Sequence, residues 1–451
     1  MKVTIIGTGY VGLTTGLALA YVGHDVTCVD TNPRVVERLR AGEATIFERG
    51  LPELLAEVKG RMGIRGEIPP LEGRGVVLIA VGTPTRPDGD ADLQYVEQAA
   101  RDVAHAIRPG AELVVVNKST VPIGSANHVR GIVERTLEER GVAATVRVAS
   151  NPEFLAEGRA VHDSFYPDRI VIGSDAPEAI AALRELYAPI LEQTFEPPPG
   201  TPRPQRYPLP ALITTSTTSA ELTKYAANSF LATKISFINE FAVLAERVGA
   251  DITQVARAIG LDERIGPRFL HAGIGWGGSC FGKDTRAISA TAERYGHDMR
   301  IVRAAIEVNR RQRQHVVDRL QDHLKVLRGT TVGVLGLAFK GGTDDLRDAP
   351  ALTLIELLDH RGAVVRAHDP IAIPHARAQH PGLPVSYHED VVELAKGCDA
   401  VVVTTDWDDY RHLPWAAIAG AMRGTLVLDA RNLVAADAVR AAGLTYVGIG
   451  R

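Results

Sequence analysis

The chain opens with an apolar, β-branched run, Val3-Thr4-Ile5-Ile6. It continues through Gly7-Thr8-Gly9-Tyr10-Val11-Gly12 and an Ala/Leu-rich stretch to about residue 21, then reaches a second run, Asp25-Val26-Thr27-Cys28-Val29-Asp30. Strand, glycine turn, helix and strand in that order predict a βαβ unit. Further β-branched runs at 76–81, 113–116, 146–149 and 169–172 leave room for helices between them, which predicts a mostly parallel, doubly wound sheet. The prolines from Pro197 to Pro210 break any regular element, so this stretch reads as an exposed linker or insertion. Beyond it, 219–248 is long, Ala-rich and periodic, with Ser219 as N-cap and Gly249 as stop, and 298–327 is a second helical stretch. A new α/β pattern starts at Thr331-Val332-Gly333-Val334-Leu335-Gly336 and reaches a strand ending in Asp369, which echoes Asp30. The expected organisation is an α/β chain with two Rossmann-like doubly wound domains, 1–192 and 329–451. Between them lie a Pro-rich linker at 193–212 and a central helical domain with a long helix at 213–328.

Composition narrows the function. Lys and Arg number 50 against 54 Asp and Glu, a net charge of −4, so the basic footprint of a nucleic-acid binder is missing. A chain 45% hydrophobic and 23% charged is globular rather than disordered. The three cysteines, Cys28, Cys280 and Cys398, are too widely spaced for a disulfide framework, which points to a reducing cytoplasm. No C-x-x-C or H-E-x-x-H spacing occurs, so no metal site is expected. No run of about 18 apolar residues appears, so no membrane span is expected.

Four stretches carry candidate chemistry. In Gly7-x-Gly9-x-x-Gly12 the first glycine permits a tight turn, the second admits a pyrophosphate and the third lets the helix pack closely, while the helix N-terminus attracts phosphate. Asp30 is placed to accept ribose hydroxyls and repel a 2′-phosphate, favouring NAD over NADP, with Arg34 close by. The stretch Asn151-Pro152-Glu153-Phe154-Leu155-Ala156-Glu157-Gly158 reads as a helix start, with Asn151 as N-cap and Glu153 and Glu157 on one face. Glu221, Lys224 and Asn228 share a stripe of the long helix. In Gly273-Ile274-Gly275-Trp276-Gly277-Gly278-Ser279-Cys280-Phe281-Gly282-Lys283-Asp284, four glycines in six residues leave backbone amides available to a phosphate. The cysteine after them, at a helix start and close to Lys283, has the surroundings of a nucleophile, whereas Cys28 and Cys398 read as core residues.

A dinucleotide site together with a nucleophilic thiol points to oxidation beyond the alcohol level, through a thiohemiacetal and a thioester, at two NAD per substrate. These residues, with Gly82-Thr83-Pro84, Ser119-Thr120-Val121-Pro122, 219–240, Phe269 to Asp284 and Ala338-Phe339-Lys340 through Arg347, closely resemble the UDP-glucose/GDP-mannose dehydrogenases nearly end to end.

The resemblance implies four-electron oxidation of the C6 hydroxyl of UDP-glucose, with GDP-mannose or another nucleotide sugar as the alternative. It makes Cys280 the nucleophile, Lys224 and Asn228 oxyanion stabilisers, Asp284 a partner ordering water and lysine, Glu157 the base for hydrolysis and Thr120 a helper near the reacting centre. Tyr10, Val11, Thr83, Thr120, Glu157, Lys283 and Arg347 join the glycines, Asp30 and Arg34 around NAD. Glu153, Phe154, Leu155, Lys224, Asn228, Phe269, Gly273, Lys340 and Arg431 hold the UDP-sugar, and Arg264 reaches the substrate across a homodimer interface. Two departures stand out: Gly282 where the family usually has proline, and the length of the Pro-rich stretch.

Overall fold

β1 (Lys2–Ile6) lies between β2 (Asp25–Val29) and β4 (Arg74–Ile79), parallel to both, with the helix Tyr10–Tyr21 crossing from β1 to β2. The remaining strands of this sheet are β3 (Met62–Arg65), β5 (Glu112–Asn117), β6 (Thr145–Ser150), β7 (Arg169–Gly173) and β8 (Ala211–Thr215). Their order is β3-β2-β1-β4-β5-β6-β7-β8, parallel except where β7 meets β6. Side chains alternate between two buried faces: Val3, Ile5, Val76 and Leu78 pack into one apolar layer, and Ile6, Val77, Ile79 and Val115 into the other. A strand buried on both faces needs the continuous apolar runs seen in the sequence. The direction of winding reverses between β1 and β4, the position at which doubly wound sheets bind ligands.

The computed structural model describes all 451 residues, and these divide into two compact units, Met1–Ala227 with Arg286–Gly296 and Asn228–Thr285 with His297–Arg451. The second carries β9 (Thr331–Leu335), β10 (Val364–His368), β11 (Ser386–Tyr387), β12 (Ala400–Val403), β13 (Leu426–Asp429) and β14 (Thr445–Gly448). They form an all-parallel sheet in the order β11-β10-β9-β12-β13-β14. The chain thus has two Rossmann-like sheets. The long helix spans Thr217–Val248 and the second predicted helix spans Arg300–Leu324. The cap at the start of the long helix is Ser216, whose hydroxyl accepts from the Ser219 amide, rather than Ser219 itself. No helix is long and apolar enough to cross a membrane.

One local reading is refined and one corrected. The Pro-rich stretch is largely exposed, as expected, but it is a strap held to residues 165–167 rather than a free linker. Phe195 packs against Phe165 and Tyr166 with ring centroids 5.3 and 6.0 Å apart, and the hydroxyls of Tyr166 and Tyr207 donate to the carbonyls of Thr201 and Pro167. It delivers β8, which pairs in parallel with β7 over five residues. The stretch 151–158 is not helical; the next helix begins only at Ala160. Asn151 does not cap, because its side chain is taken by Val171, Lys118 and Tyr187, and Gly158 turns the chain with φ +80°.

Candidate active site

In the first unit, Gly7 follows β1 with φ +93° and donates its amide to Val29. A side chain at Gly7 would meet the Ala80 carbonyl at 2.7 Å, and one at Gly12 the Gly7 carbonyl at 1.9 Å, so both glycines are required by packing. Gly9 differs: its backbone is extended (φ −72°, ψ −167°), and a Cβ there would have no protein atom within 4 Å. It faces open space at the N-terminus of the helix Tyr10–Tyr21, where helical amides lack intrahelical partners. Half-buried Asp30 accepts from the Thr8 amide (3.0 Å), the Thr8 hydroxyl (2.6 Å) and the Asn32 amide (2.9 Å), which leaves part of its lone-pair capacity for a ribose. Arg34 is exposed on the following turn. This cradle fits a dinucleotide.

At the C-terminal ends of β4, β5 and β6 the same unit gathers a polar cluster. Thr83 donates to the Thr120 carbonyl at 2.9 Å. Glu153 is buried and faces the buried Lys224 ammonium at 2.9 Å, while its other oxygen accepts the Leu155 amide at 2.6 Å. Burial opposes the charge on Glu153, but Lys224, that amide and Lys118 outweigh it and hold the carboxyl below its ordinary range. The Phe154 ring lies 3.7 Å from the Arg169 guanidinium and 5.5 Å from the Lys224 ammonium. The half-buried Glu157 sits in a loop whose Gly158 and Ala160 amides donate to the Glu48 carboxylate.

Asn117, Ser119, Thr120, Ser150, Glu221 and Lys224 line a small cavity of about 10 Å³, room for about one water. Both polar atoms of the Asn117 side chain are buried there without a protein partner. An amide buried in this way costs about 1–3 kcal/mol unless water or a ligand satisfies it. Glu221, which the sequence groups with Lys224, is occupied in holding the fold together. It accepts from the Gly124 and Ala126 amides and the Ser150 hydroxyl, while burial pushes its carboxyl up.

In the second unit, Cys280 lies half-buried on the turn into the helix Phe281–Arg294, with the Ser279 hydroxyl 3.5 Å from its sulfur. One turn on, the Asp284 amide donates to the Cys280 carbonyl at 2.9 Å. The buried Asp284 carboxylate accepts from Asn228 on one oxygen and from Lys283 on the other, each at 2.5 Å. The other two thiols are core groups: burial pushes Cys28 up to about 12 and Cys398 up to about 11.

The glycine loop before Cys280 corrects the expectation of available amides at Gly273 and Gly278, two of its four glycines. Gly273 donates to Asn239, Ile274 to the Ala430 carbonyl, Trp276 to Asn309 and Gly278 to the Arg347 carbonyl. The glycines are there for close packing, since side chains at Gly273, Gly275 and Gly277 would meet protein atoms at 2.5, 2.4 and 2.2 Å. Phe269 holds a left-handed backbone (φ +65°), strained for an aromatic residue, with its ring edge-on to Phe281 at 6.3 Å. Arg431 donates to the carbonyls of Thr404, Gly275 and Phe339, and the Lys340 ammonium lies 5.5 Å from the Phe339 ring. Arg347 is forked onto Asp345, and the exposed Arg264 is forked onto Asp262.

The sequence reading missed Lys118, Asn117, Arg169 and Glu48. Lys118 had a signal: a charged residue directly after a buried strand.

Three consecutive domain models of the UDP-glucose/GDP-mannose dehydrogenase family match the chain: the NAD binding domain over residues 1–191, the central domain over 218–311 and the UDP binding domain over 333–436. UDP-glucose 6-dehydrogenase YwqF of Bacillus subtilis and a UDP-glucose 6-dehydrogenase of Pseudomonas aeruginosa are each 42% identical, aligned over 100% of this chain and 98% of theirs. Among solved structures, a UDP-glucose dehydrogenase from the archaeon Pyrobaculum islandicum superposes with TM-score 0.86 at 40% identity, covering 100% of this chain and 97% of that one. A UDP-D-ManNAc dehydrogenase from Pyrococcus horikoshii superposes with TM-score 0.83 at 28% identity, covering 100% and 99%.

Proposed function

The chain belongs to the UDP-glucose/GDP-mannose dehydrogenase family and uses NAD, and on that premise we propose that it oxidises the C6 hydroxyl of UDP-glucose to the carboxylate of UDP-glucuronate in two steps. The observation that carries the proposal is the position of Cys280: of the three thiols it alone lies outside a hydrophobic core, at a helix start.

NAD supplies the hydride acceptor for both oxidations. In the first, the C6 hydroxyl gives up its proton through water ordered by Asp284, and a hydride leaves C6 to give the aldehyde. The Cys280 sulfur then bonds to C6, and the charge that develops on oxygen is met by Lys224 and Asn228. Glu153 fixes Lys224, and Asp284 fixes Asn228, so neither donor has to reorganise as the charge forms. Loss of the second hydride from the same carbon gives the thioester. Water, deprotonated by Glu157, attacks C6, and the C–S bond breaks to release the acid and the thiolate. Glu153, Phe154, Leu155, Phe269, Gly273, Lys340 and Arg431 are assigned to the UDP-sugar, with Thr120 close to the reacting carbon. Tyr10, Val11, Thr83, Lys283 and Arg347 are assigned to NAD beside the glycines and Asp30.

A homodimer completes the reading. The long helix exposes Phe230, Phe237, Phe241, Leu244 and Val248 at intervals of seven, four, three and four, a single apolar stripe suited to a second copy. Arg264 is proposed to reach the partner's substrate, exchanging its Asp262 fork for that contact. A panel of nucleotide sugars read as NADH per sugar consumed tests the function: two NADH with UDP-glucose is expected, whereas one NADH, or preference for GDP-mannose, overturns it.

A further inference from the structure

Lys118 follows β5 and is 8% exposed. Its ammonium has one hydrogen bond, 3.0 Å to the Asn151 side-chain oxygen, and lies 5.7 Å from the Tyr187 ring centre. Filling space does not require a lysine, because an apolar side chain would avoid the cost of burying a charge. Holding Asn151 does not require it either, since that side chain already accepts the Tyr187 hydroxyl at 2.6 Å and donates to the Val171 carbonyl at 2.7 Å. What Lys118 adds is a second cation beside the Glu153–Lys224 ion pair, with which it interacts electrostatically.

We propose that Lys118 is a positioning residue for the reaction, a buried cation that leaves the Glu153–Lys224–Lys118 cluster with one uncompensated positive charge for the developing oxyanion. This rests on the reading of Lys224 as an oxyanion donor. Two ammoniums share one carboxylate, and the neighbouring Arg169 is offset by Asp168, so the cluster carries +1 before the reaction and approaches neutrality as negative charge forms on the substrate oxygen. Loss of the Lys118 proton to solvent removes that surplus.

The groups facing Lys118 are Tyr187 on the helix Pro177–Leu191, Asn151 and Glu153 after β6, and Lys224 on the long helix, with Arg169 of β7 adding a cation near Glu153. Glu221, one turn before Lys224, is committed to the amides of Gly124 and Ala126. Burial, opposed by Glu153 and aided by Lys224, pushes Lys118 down to about 8. Activity that needs its charged form therefore falls as the pH rises through that value. A thiolate nucleophile gives the opposite limb, rising with pH, so the two are separable.

The test is the pH profile of kcat for wild type, Lys118→Met and Lys118→Arg, with NAD and UDP-glucose binding and thermal unfolding as controls. Lys118→Met is expected to lower kcat about 10- to 100-fold with KM for the sugar within about twofold, and to lose the descending limb near pH 8. Lys118→Arg is expected to carry that limb beyond about pH 10, because the guanidinium keeps its proton. If neither variant folds, Tyr187→Phe keeps the ring but frees the Asn151 oxygen for Lys118, and the limb is expected to move upward. An unmoved limb in any folded variant, or a KM rising by the factor that kcat falls, overturns the inference. Two NADH per sugar from wild type, with an unmoved limb in the variants, overturns this inference alone and leaves the proposed reaction standing.

Discussion

Replacing Gly9 by alanine separates cofactor binding from folding. Its extended backbone suits alanine, and the new methyl meets no protein atom within 4 Å. Restricting the unfolded chain stabilises by about 0.4–1 kcal/mol, and putting alanine at a helix N-cap costs a similar amount, so the net change is under ~1 kcal/mol. At roughly 2–4 °C per kcal/mol for a unit of about 150–250 residues, the melting temperature stays within about 4 °C of wild type. The methyl nevertheless stands where the pyrophosphate approaches the helix N-terminus. Loss of one hydrogen bond to a charged group, about 1.5–3 kcal/mol, weakens NAD about 10- to 150-fold. Gly12→Ala is the contrast: its methyl would lie 1.9 Å from the Gly7 carbonyl, so overpacking of about 1–3 kcal/mol lowers stability itself. Titration calorimetry with NAD and with UDP-glucose, beside thermal unfolding, reads all three quantities. A Gly9→Ala protein that binds NAD within twofold of wild type, or melts as low as Gly12→Ala, would refute the placement of the pyrophosphate.

Cys280→Ala should fold and bind both ligands yet stall at or before the aldehyde; two NADH per sugar at near wild-type rate would sink the covalent route. Lys224→Met should cost about 3–5 kcal/mol in urea unfolding by stranding the buried Glu153, and the double variant Lys224→Met/Glu153→Gln should recover most of it. Because the Glu153 carboxyl is held below its ordinary range, the pair's stabilisation is complete above that range and is lost as the pH falls through the lowered folded value; Glu153→Gln should flatten this acid limb. Phe241→Glu should convert a dimer to a monomer in sedimentation velocity, and an Arg264→Ala chain mixed with a Cys280→Ala chain should regain activity through hybrid sites. Turnover with NADP at or above that with NAD would contradict the role given to Asp30.

The parts legible in the sequence were those whose signals are local. The glycine turn, its flanking strands and Asp30 lie within thirty residues and each constrains the next, and the Cys280 turn announces itself by its neighbours. Where tertiary partners override local grammar, the reading failed. Asn151-Pro152 has the form of a helix start, but burial of the Asn151 side chain among Lys118, Tyr187 and Val171 leaves nothing to cap a helix. β8 is five residues hidden behind prolines, and only pairing with β7 makes it a strand. The Gly273 and Gly278 amides looked available because their partners, Asn239 and Arg347, are distant in sequence. Lys118 is a lysine whose environment exists only once three elements have converged on it.

Asp369 and Asp30 end equivalent strands, yet the two acids differ in how open they are to change. Asp369 is 3% exposed and receives five donors: the amides of Leu337, Ala338, Ile371 and Ala372 and the Trp407 indole. Such a carboxylate works as a rivet, and its lone pairs are spoken for before any nucleotide arrives. An engineer seeking a different dinucleotide has more room at the half-buried Asp30, where a charge swap frees the Thr8 and Asn32 donors but leaves the loop held by the hydrogen bond from Gly7 to Val29. The same edit at Asp369 would strand five donors and loosen the sheet that carries them. Grafting a second dinucleotide site onto the C-terminal half would thus require rebuilding its first turn, even though the strand order is already in place.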